Sequence, residues 1–530
     1  MRSTTTVRDA TYELLRAHGM TTVFGNPGST ELAFLAGMPD DFRYVLGLHE
    51  GAAVGIADGY AQVTGQPVLV NLHSAPGVAT AMGALVNAAA ARVPLVVISG
   101  QQVRNLITME GLLANPDPVT LPRPLVKWAA EPPRPQDVPA ALARAIAVAN
   151  QPPRGPVLLS VPADDWSAPA PEPPGHRVVT GRQAPLPSAI RTVADRLTAA
   201  TNPVLLVGAG VDVEGGWETA VVLAERCSLP VYWAPVEHRC GFPTAHPAFQ
   251  GMLPASPAGV RKALQGHDLV LVVGAATFRY YLDGEGPLLP PSAELIMMTS
   301  DPDQAARAPI GDAVVGDVGL ALRWLVAAMP MSSRPAPPDG PPPPPVPAGK
   351  TLTIPAVYAA LAALSRHDPV LVAESPSTKR VCVEQVRFAR PGSFYGPAGA
   401  SLGFGVSAAI GIQLGQPERP VVAVVGDGAL QYAAPALWTA VQHKVPVTIV
   451  VLRNDEYAVL KDYRDQLGLP HVPGLDVPGL DSVALAGAYG MPAQRVETVT
   501  ELRETLRRAI NDPGPMLLEV PVCGPTTALW

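Results

Sequence analysis

The stretch VVAVVGDGAL (residues 421–430), followed after a helix-like interval by VTIVVLRNDEY (447–457), decides how this chain is read. Apolar residues running into Gly426-Asp427-Gly428 describe a buried strand that ends at the carboxyl edge of a parallel sheet, where open α/β sheets bind ligands. Asn454 follows Gly426 by 28 residues (454 − 426) and closes the next apolar strand, so both side chains emerge at one edge. An aspartate oxygen, an asparagine amide oxygen and a backbone carbonyl make half an octahedron of hard oxygens. That set suits Mg²⁺ when a diphosphate and water supply the rest. Gly-Asp-Gly alone is also an ordinary turn; the strand–helix–strand setting and Asn454 give it chemical meaning.

The same unit occurs twice. Ala84 to Ile98 (ALVNAAAARVPLVVI) aligns without gaps on Ala436 to Val450 (ALWTAVQHKVPVTIV) at a constant offset of 352 (436 − 84). Upstream, PVLVNLHS from Pro67 aligns with PVVAVVGD from Pro420, which sets His73 opposite Gly426. Each copy reads as strand, small-residue loop, helix and Val-Pro into another strand. Duplication of one α/β unit accounts for this better than generic periodicity does.

At 530 residues the chain is too long for one core, and about three domains are expected. Two Pro-rich stretches without periodicity, 167–187 (SAPAPEPPGHRVVTGRQAPLP) and 330–350 (PMSSRPAPPDGPPPPPVPAGK), read as extended linkers. They leave pieces 1–166, 188–329 and 351–530, each with apolar strands alternating with helical patterns. The expected fold class is therefore α/β, with three doubly wound parallel-sheet domains.

With 48% hydrophobic and 16% charged residues the chain is globular, and a net charge of −7 without a basic face argues against nucleic acid. The opening MRSTTTVRDATYELLRAHG reads as an amphipathic helix with no secretory apolar core. The long apolar run 77–100 is broken by Asn87, Arg92 and Pro94, so no membrane span is expected. Cys227, Cys240, Cys382 and Cys523 form no metal or redox spacing and read as reduced thiols of a cytoplasmic protein. In the middle piece, NPVLLVGAGVDVEGG (202–216) puts Val213 where a dinucleotide fingerprint needs its third glycine, so a structural domain is expected.

The first piece supplies an acid. In HEGAAVGIADGYA (49–61), Glu50, Val54, Ala57 and Ala61 share one helix face. A carboxylate on such a face is costly unless paired or used, and burial would prepare it to share a proton with a ring nitrogen. The alternative is a first-turn charge complementing the helix dipole. GNPGSTEL (25–32) leads into a helix, where Ser29 or Thr30 is either an N-cap or a carboxylate-binding group. His73 is either a core histidine or, from its match to the Gly426 loop, a site residue.

Taken in order, VFGNPGSTEL, LHEGAAVGIADGYAQ, LHSAPGVATAMGAL, LPRPLVKW, GPVLLSVPADDW, ARAPIGDA, SLGFG and VPGLDVPG resemble the thiamine diphosphate (ThDP)-dependent 2-oxoacid decarboxylases over essentially the whole chain. The resemblance implies pyrimidine-binding, middle and diphosphate-binding domains, a ThDP and Mg²⁺ requirement, and a homotetramer whose sites are shared between chains. By the same resemblance Glu50 bonds the aminopyrimidine, Ser29 and His73 contact substrate, and Asp427, Asn454 and the Glu456 carbonyl hold Mg²⁺. Leu402 props the bent cofactor, and Ser377, Ala400, Gly426, Gly428 and Ala429 join Asp427 in cofactor binding.

The expected activity is non-oxidative decarboxylation of an aryl 2-oxoacid, benzoylformate foremost, with a place in mandelate breakdown and some carboligation. A ThDP-dependent carboligase or aldehyde lyase, a FAD-binding acetolactate synthase-like enzyme and a non-catalytic ThDP-fold binding protein are the alternatives. The chain departs from the family pattern at Tyr281, which stands at a second active-site histidine, and at Pro376, Arg453, Gly396 and Tyr463. These changes bear on proton delivery, with Tyr281 the substitute donor, and on substrate shape; Gly396 is expected to open space where an aromatic wall would stand.

Overall fold

The structure, a computed structural model, describes residues 5–170, 175, 177, 179, 181–346, 349 and 351–523. Parts of both Pro-rich stretches and the last seven residues of the third piece lie outside the described residues.

Three six-stranded sheets organise the chain. The first contains β1 (Thr22–Asn26), β2 (Arg43–Leu46), β3 (Val68–Leu72), β4 (Leu95–Gln101), β5 (Trp128–Ala130) and β6 (Val157–Pro162). The second contains β7 (Pro203–Val207), β8 (Val231–Trp233), β9 (Phe249–Met252), β10 (Leu269–Val273), β11 (Glu294–Thr299) and β12 (Asp312–Val315). The third contains β13 (Val370–Glu374), β14 (Phe394–Tyr395), β15 (Val421–Gly426), β16 (Val447–Arg453), β17 (Ala493–Arg495) and β18 (Met516–Pro521). The pairings are parallel. Central strands such as VLVNL, PVLLV and VVAVV are buried on both faces because helices cover both sides, as parallel sheets require.

The strand orders bear out the duplication. The first sheet runs β2-β1-β3-β4-β6-β5 and the third β14-β13-β15-β16-β18-β17, the same order displaced by twelve strands. His73 and Gly426 occupy the same N-cap position after β3 and β15. The middle sheet, β12-β11-β10-β7-β8-β9, has the doubly wound dinucleotide-fold order instead. Its glycines serve packing: a Cβ on Gly208 would lie 2.5 Å from the Ala275 side chain, and one on Gly210 would lie 2.8 Å from Gly274 Cα.

The first and third domains meet along two helices, Glu50–Thr64 and Phe404–Gly415. Small residues let the backbones touch: a Cβ on Gly59 would lie 2.2 Å from the Ala408 carbonyl oxygen, and one on Gly411 would lie 1.9 Å from that of Ile56. Asn87 ties the same domains, donating to the Ser401 carbonyl at 2.8 Å and accepting from the N–H groups of Gly399 and Ser401. The described part of 330–346 has no helix or strand and follows the middle domain, with Arg334 donating to the carbonyls of Leu197, Ala200 and Cys227. Among the described residues no helix is long and apolar enough to cross a membrane.

Candidate active site

At the carboxyl edge of the third sheet, Asp427 begins a helical turn straight after β15 and is only 2% exposed. Its Oδ2 accepts the backbone N–H groups of Asn454 (3.0 Å) and Asp455 (2.8 Å), and its Oδ1 accepts that of Gly428 (2.8 Å). The loop after β16 is thereby latched to the turn after β15. Asp455 sits at φ 57°, the left-handed conformation that reverses the chain there.

A cavity of about 310 Å³ opens over this edge. Ser377, Leu402, Gly426, Asp427, Gly428, Ala429, Asn454 and Glu456 all line it, as does Pro376. Ala400 does not; it is exposed on the turn held by Asn87. Gly428 is needed because the Tyr457 ring lies 2.6 Å from where its Cβ would be, while the Cβ position of Gly426 is open. Among the described residues no three His, Cys, Asp or Glu side chains gather around a metal position. What lines the cavity is of another kind: Asp427 carries a buried carboxylate, Asn454 a side-chain amide and Glu456 a backbone carbonyl on the loop after β16. These oxygens fit a hard cation, and the open glycine edge beside them fits a diphosphate.

Glu374 is a residue that sequence reading missed. It ends β13, lines the same cavity and is 2% exposed. It accepts the N–H groups of Gly403 (2.8 Å), Phe404 (3.2 Å) and Gly405 (2.8 Å), capping the helix that follows Leu402. Burial pushes its carboxyl up to about 7 against those three donors. A lone carboxylate closing an otherwise apolar strand, VLVAE, was the available signal.

The second group lies at the carboxyl edge of the first sheet. Glu50 is the first residue of its helix and half-buried, not enclosed on an apolar face as expected. A first-turn residue at a sheet edge projects beyond the packed part of its helix, so Val54, Ala57 and Ala61 are buried and Glu50 is not. Its two oxygens accept from Asn26 Nδ2 (3.1 Å) and Thr80 Oγ1 (2.8 Å). Ser29 is exposed on the preceding turn and Thr30 is buried. Neither caps the following helix, whose N-cap is Glu31. His73 is partly exposed, with Nδ1 2.9 Å from Glu31 Oε2 and 3.1 Å from Thr30 Oγ1.

Among the described residues of one chain, the lining of the Asp427 cavity runs from Ile354 to Cys523, all in the third domain, and includes none of the first-domain group. Tyr281 is elsewhere again. Its ring meets Tyr463 edge to face, centroids 5.3 Å apart at 75°, so the middle and third domains touch through two of the five residues that depart from the family pattern. Gly396 is buried, donates its N–H to the His238 carbonyl at 2.8 Å and does not line the Asp427 cavity, so the space expected from it is not found there. Arg453 pairs with Asp455 and with the buried Glu519, bracing the Asn454 loop.

Two such sheet edges, one carrying a hydrogen-bonded glutamate and the other a Gly-Asp-Gly turn with its asparagine loop, define the thiamine diphosphate enzymes, and the chain belongs to that family. Models described as the N-terminal TPP binding, central and C-terminal TPP binding domains of thiamine pyrophosphate enzymes match residues 5–120, 190–325 and 377–520. Within the family the chain is a homologue of benzoylformate decarboxylase: it is 48% identical to the Pseudomonas aeruginosa enzyme over 97% of this chain and 98% of the relative. A solved Rhodococcus jostii thiamine diphosphate-dependent 4-hydroxybenzoylformate decarboxylase is 46% identical, with TM-score 0.94 over 98% of this chain and 99% of that one. Benzoylformate decarboxylase from Polynucleobacter necessarius is 40% identical, with TM-score 0.97 over 99% of each chain.

Proposed function

We propose that this protein is a Mg²⁺- and ThDP-dependent decarboxylase that converts an aryl 2-oxoacid, benzoylformate foremost, to the aldehyde and CO₂. The observation that carries this reading is the pair of sheet edges together with full-length identity to decarboxylases of that substrate class. Bound ThDP supplies the electron sink that decarboxylation needs. Asp427, Asn454 and the Glu456 carbonyl would hold Mg²⁺, with Gly426, Gly428, Ala429 and Ser377 beside the diphosphate. Leu402, 36% exposed in the single chain and fixed by the Glu374-capped helix start, would prop the cofactor. Glu50 would hold a proton at the aminopyrimidine ring, kept in place by Asn26 and Thr80. Ser29 would orient the substrate carboxylate, and His73 would move the proton that completes the aldehyde. Tyr281, edge to face with Tyr463 outside the lining of the Asp427 cavity, would meet an aryl ring at the rim of the completed site.

Among the described residues the Asp427 cavity has no first-domain lining, which supports a site completed by a second copy; from the family resemblance we place the enzyme as a homotetramer in the cytoplasm. The test uses purified protein, a panel of benzoylformate, pyruvate and a branched aliphatic 2-oxoacid, and CO₂ release with and without ThDP and Mg²⁺. Cofactor-dependent CO₂ from benzoylformate is expected. Acyloin formation without CO₂ would favour a carboligase or lyase.

A further inference from the structure

Glu31 takes no part in the scheme above, yet it is an enclosed acid at the first-domain edge, 1% exposed. Its carboxylate is fully engaged: Oε2 accepts Gly28 N–H at 2.7 Å and faces His73 Nδ1 at 2.9 Å, and Oε1 accepts the Thr30 hydroxyl at 2.5 Å. Two glycines make the room. A Cβ on Gly100 would fall 1.6 Å from Glu31 Oε1, and one on Gly28 would fall 2.3 Å from His73 Nδ1. The carboxylate and the imidazole are thus seated face to face in slots that no other residue type would leave open.

The hydrogen-bond directions follow from elementary chemistry. A carboxylate only accepts, so the proton between Glu31 Oε2 and His73 belongs to Nδ1. The Thr30 hydroxyl spends its single proton on Glu31 Oε1, so its oxygen can only accept from Nδ1 as well, 3.1 Å away. Both neighbours therefore demand a protonated Nδ1, which leaves Nε2 as the ring atom bearing the lone pair. A histidine's second nitrogen is set by the partner of the first.

We infer that Glu31 is a positioning residue: with Thr30 it holds His73 in the Nδ1–H tautomer and aims Nε2 at the substrate. When Nε2 takes up a proton, the imidazolium stands against the Glu31 carboxylate; when it gives that proton up, the neutral Nδ1–H ring returns. This rests on the reading of His73 as the proton-moving group. Glu31→Gln would place an amide, able to donate or accept, against Nδ1 and release the tautomer.

The experiment combines kinetics and nitrogen NMR on the full-length enzyme with ThDP and Mg²⁺. Glu31→Gln is expected to lower kcat for benzoylformate by roughly 10–100-fold, the usual cost of losing a group that orients a functional histidine. In a His73→Ala background the same change should cost less than about twofold, because the two residues act as one unit. Histidine-labelled wild-type enzyme should show the neutral ring of His73, assigned by its loss in His73→Ala, with Nδ1 protonated and Nε2 bare. An Nε2–H tautomer in the wild type, or an undiminished Glu31→Gln loss in the His73→Ala background, would overturn the inference. If Glu31→Gln does not fold, the wild-type spectrum decides alone. That spectrum also stands apart from the reading of function, which fails instead if no 2-oxoacid yields CO₂ or if His73→Ala turns over normally.

Discussion

Asp427 accepts the backbone N–H of Asn454 at 3.0 Å, so the residue that follows one duplicated strand fixes the loop that follows its neighbour. Removing the carboxylate frees this loop and deletes the one charged oxygen that the protein itself is expected to offer the cation. Asp427→Ala should weaken ThDP and Mg²⁺ retention by at least ~100-fold, since even indirect supports of a metal cost ~10–100-fold. Calorimetric titration of cofactor, with circular dichroism to show an unchanged fold, checks this. Normal retention would remove Asp427 from the cation site.

Glu50→Gln keeps the hydrogen-bonding shape beside Asn26 and Thr80 but cannot hold a proton. It should bind ThDP and lose activity by ~10²–10⁴, the range of general acid–base groups. Near-normal turnover would reduce Glu50 to a helix-terminus charge.

These two variants also test the shared site. If Glu50 of one copy works on the Asp427 cavity of another, unfolding and refolding the two inactive proteins together should restore about a quarter of wild-type activity through mixed dimers. No recovery would place both groups in one chain's site or show that the enzyme acts as a monomer.

The Tyr281–Tyr463 contact predicts a trade. Edge-to-face aromatic pairs are worth ~0.5–1.5 kcal/mol, so Tyr281→Ala should loosen the junction of the middle and third domains slightly and raise KM for benzoylformate. Tyr281→His should raise kcat, because an imidazole titrates near ~6.5 and a phenol near ~10. A preference for pyruvate over benzoylformate in either background would overturn the aryl assignment.

Asp58 gives a signed pH dependence. It is fully enclosed within the helix that begins at Glu50; Gln62 donates to one oxygen, and burial raises its carboxyl to about 7. The folded state therefore binds more protons than the unfolded state between about pH 4 and about 7, and stability falls as pH rises through that window. Asp58→Asn should flatten that slope by up to ~1.4 kcal/mol per pH unit, read from denaturant midpoints at several pH values. Glu374, also raised to about 7, leaves a residual slope in the same direction. Equal slopes in both proteins would show that Asp58 is ionised throughout.

Gly59→Ala sets two effects against each other. Alanine favours a helix by ~1 kcal/mol over glycine, whereas overpacking costs ~1–3 kcal/mol. The new Cβ would meet the Ala408 backbone, which cannot rotate aside, so a lower melting temperature is expected. A rise would mean that the two helices separate without cost.

By itself the sequence determined what is local and periodic. Apolar runs ending in Gly-Asp-Gly and in Arg-Asn-Asp specified parallel strands and their carboxyl edge, and the repeat across residues 84–98 and 436–450 specified two like domains, because strand period and turn chemistry are written in neighbouring residues. Glu50, His73, Asp427 and Asn454 were legible as candidate site residues at strand ends for the same reason. Only the tertiary structure decided which groups face each other. Glu31 reaches His73 across 42 residues and Tyr281 meets Tyr463 across two domains, while Glu374 acquires its partners from a helix 29 to 31 residues on. Such contacts depend on how sheets and helices close, and on glycines whose missing Cβ atoms open the necessary space. Neither leaves a periodic trace along the chain.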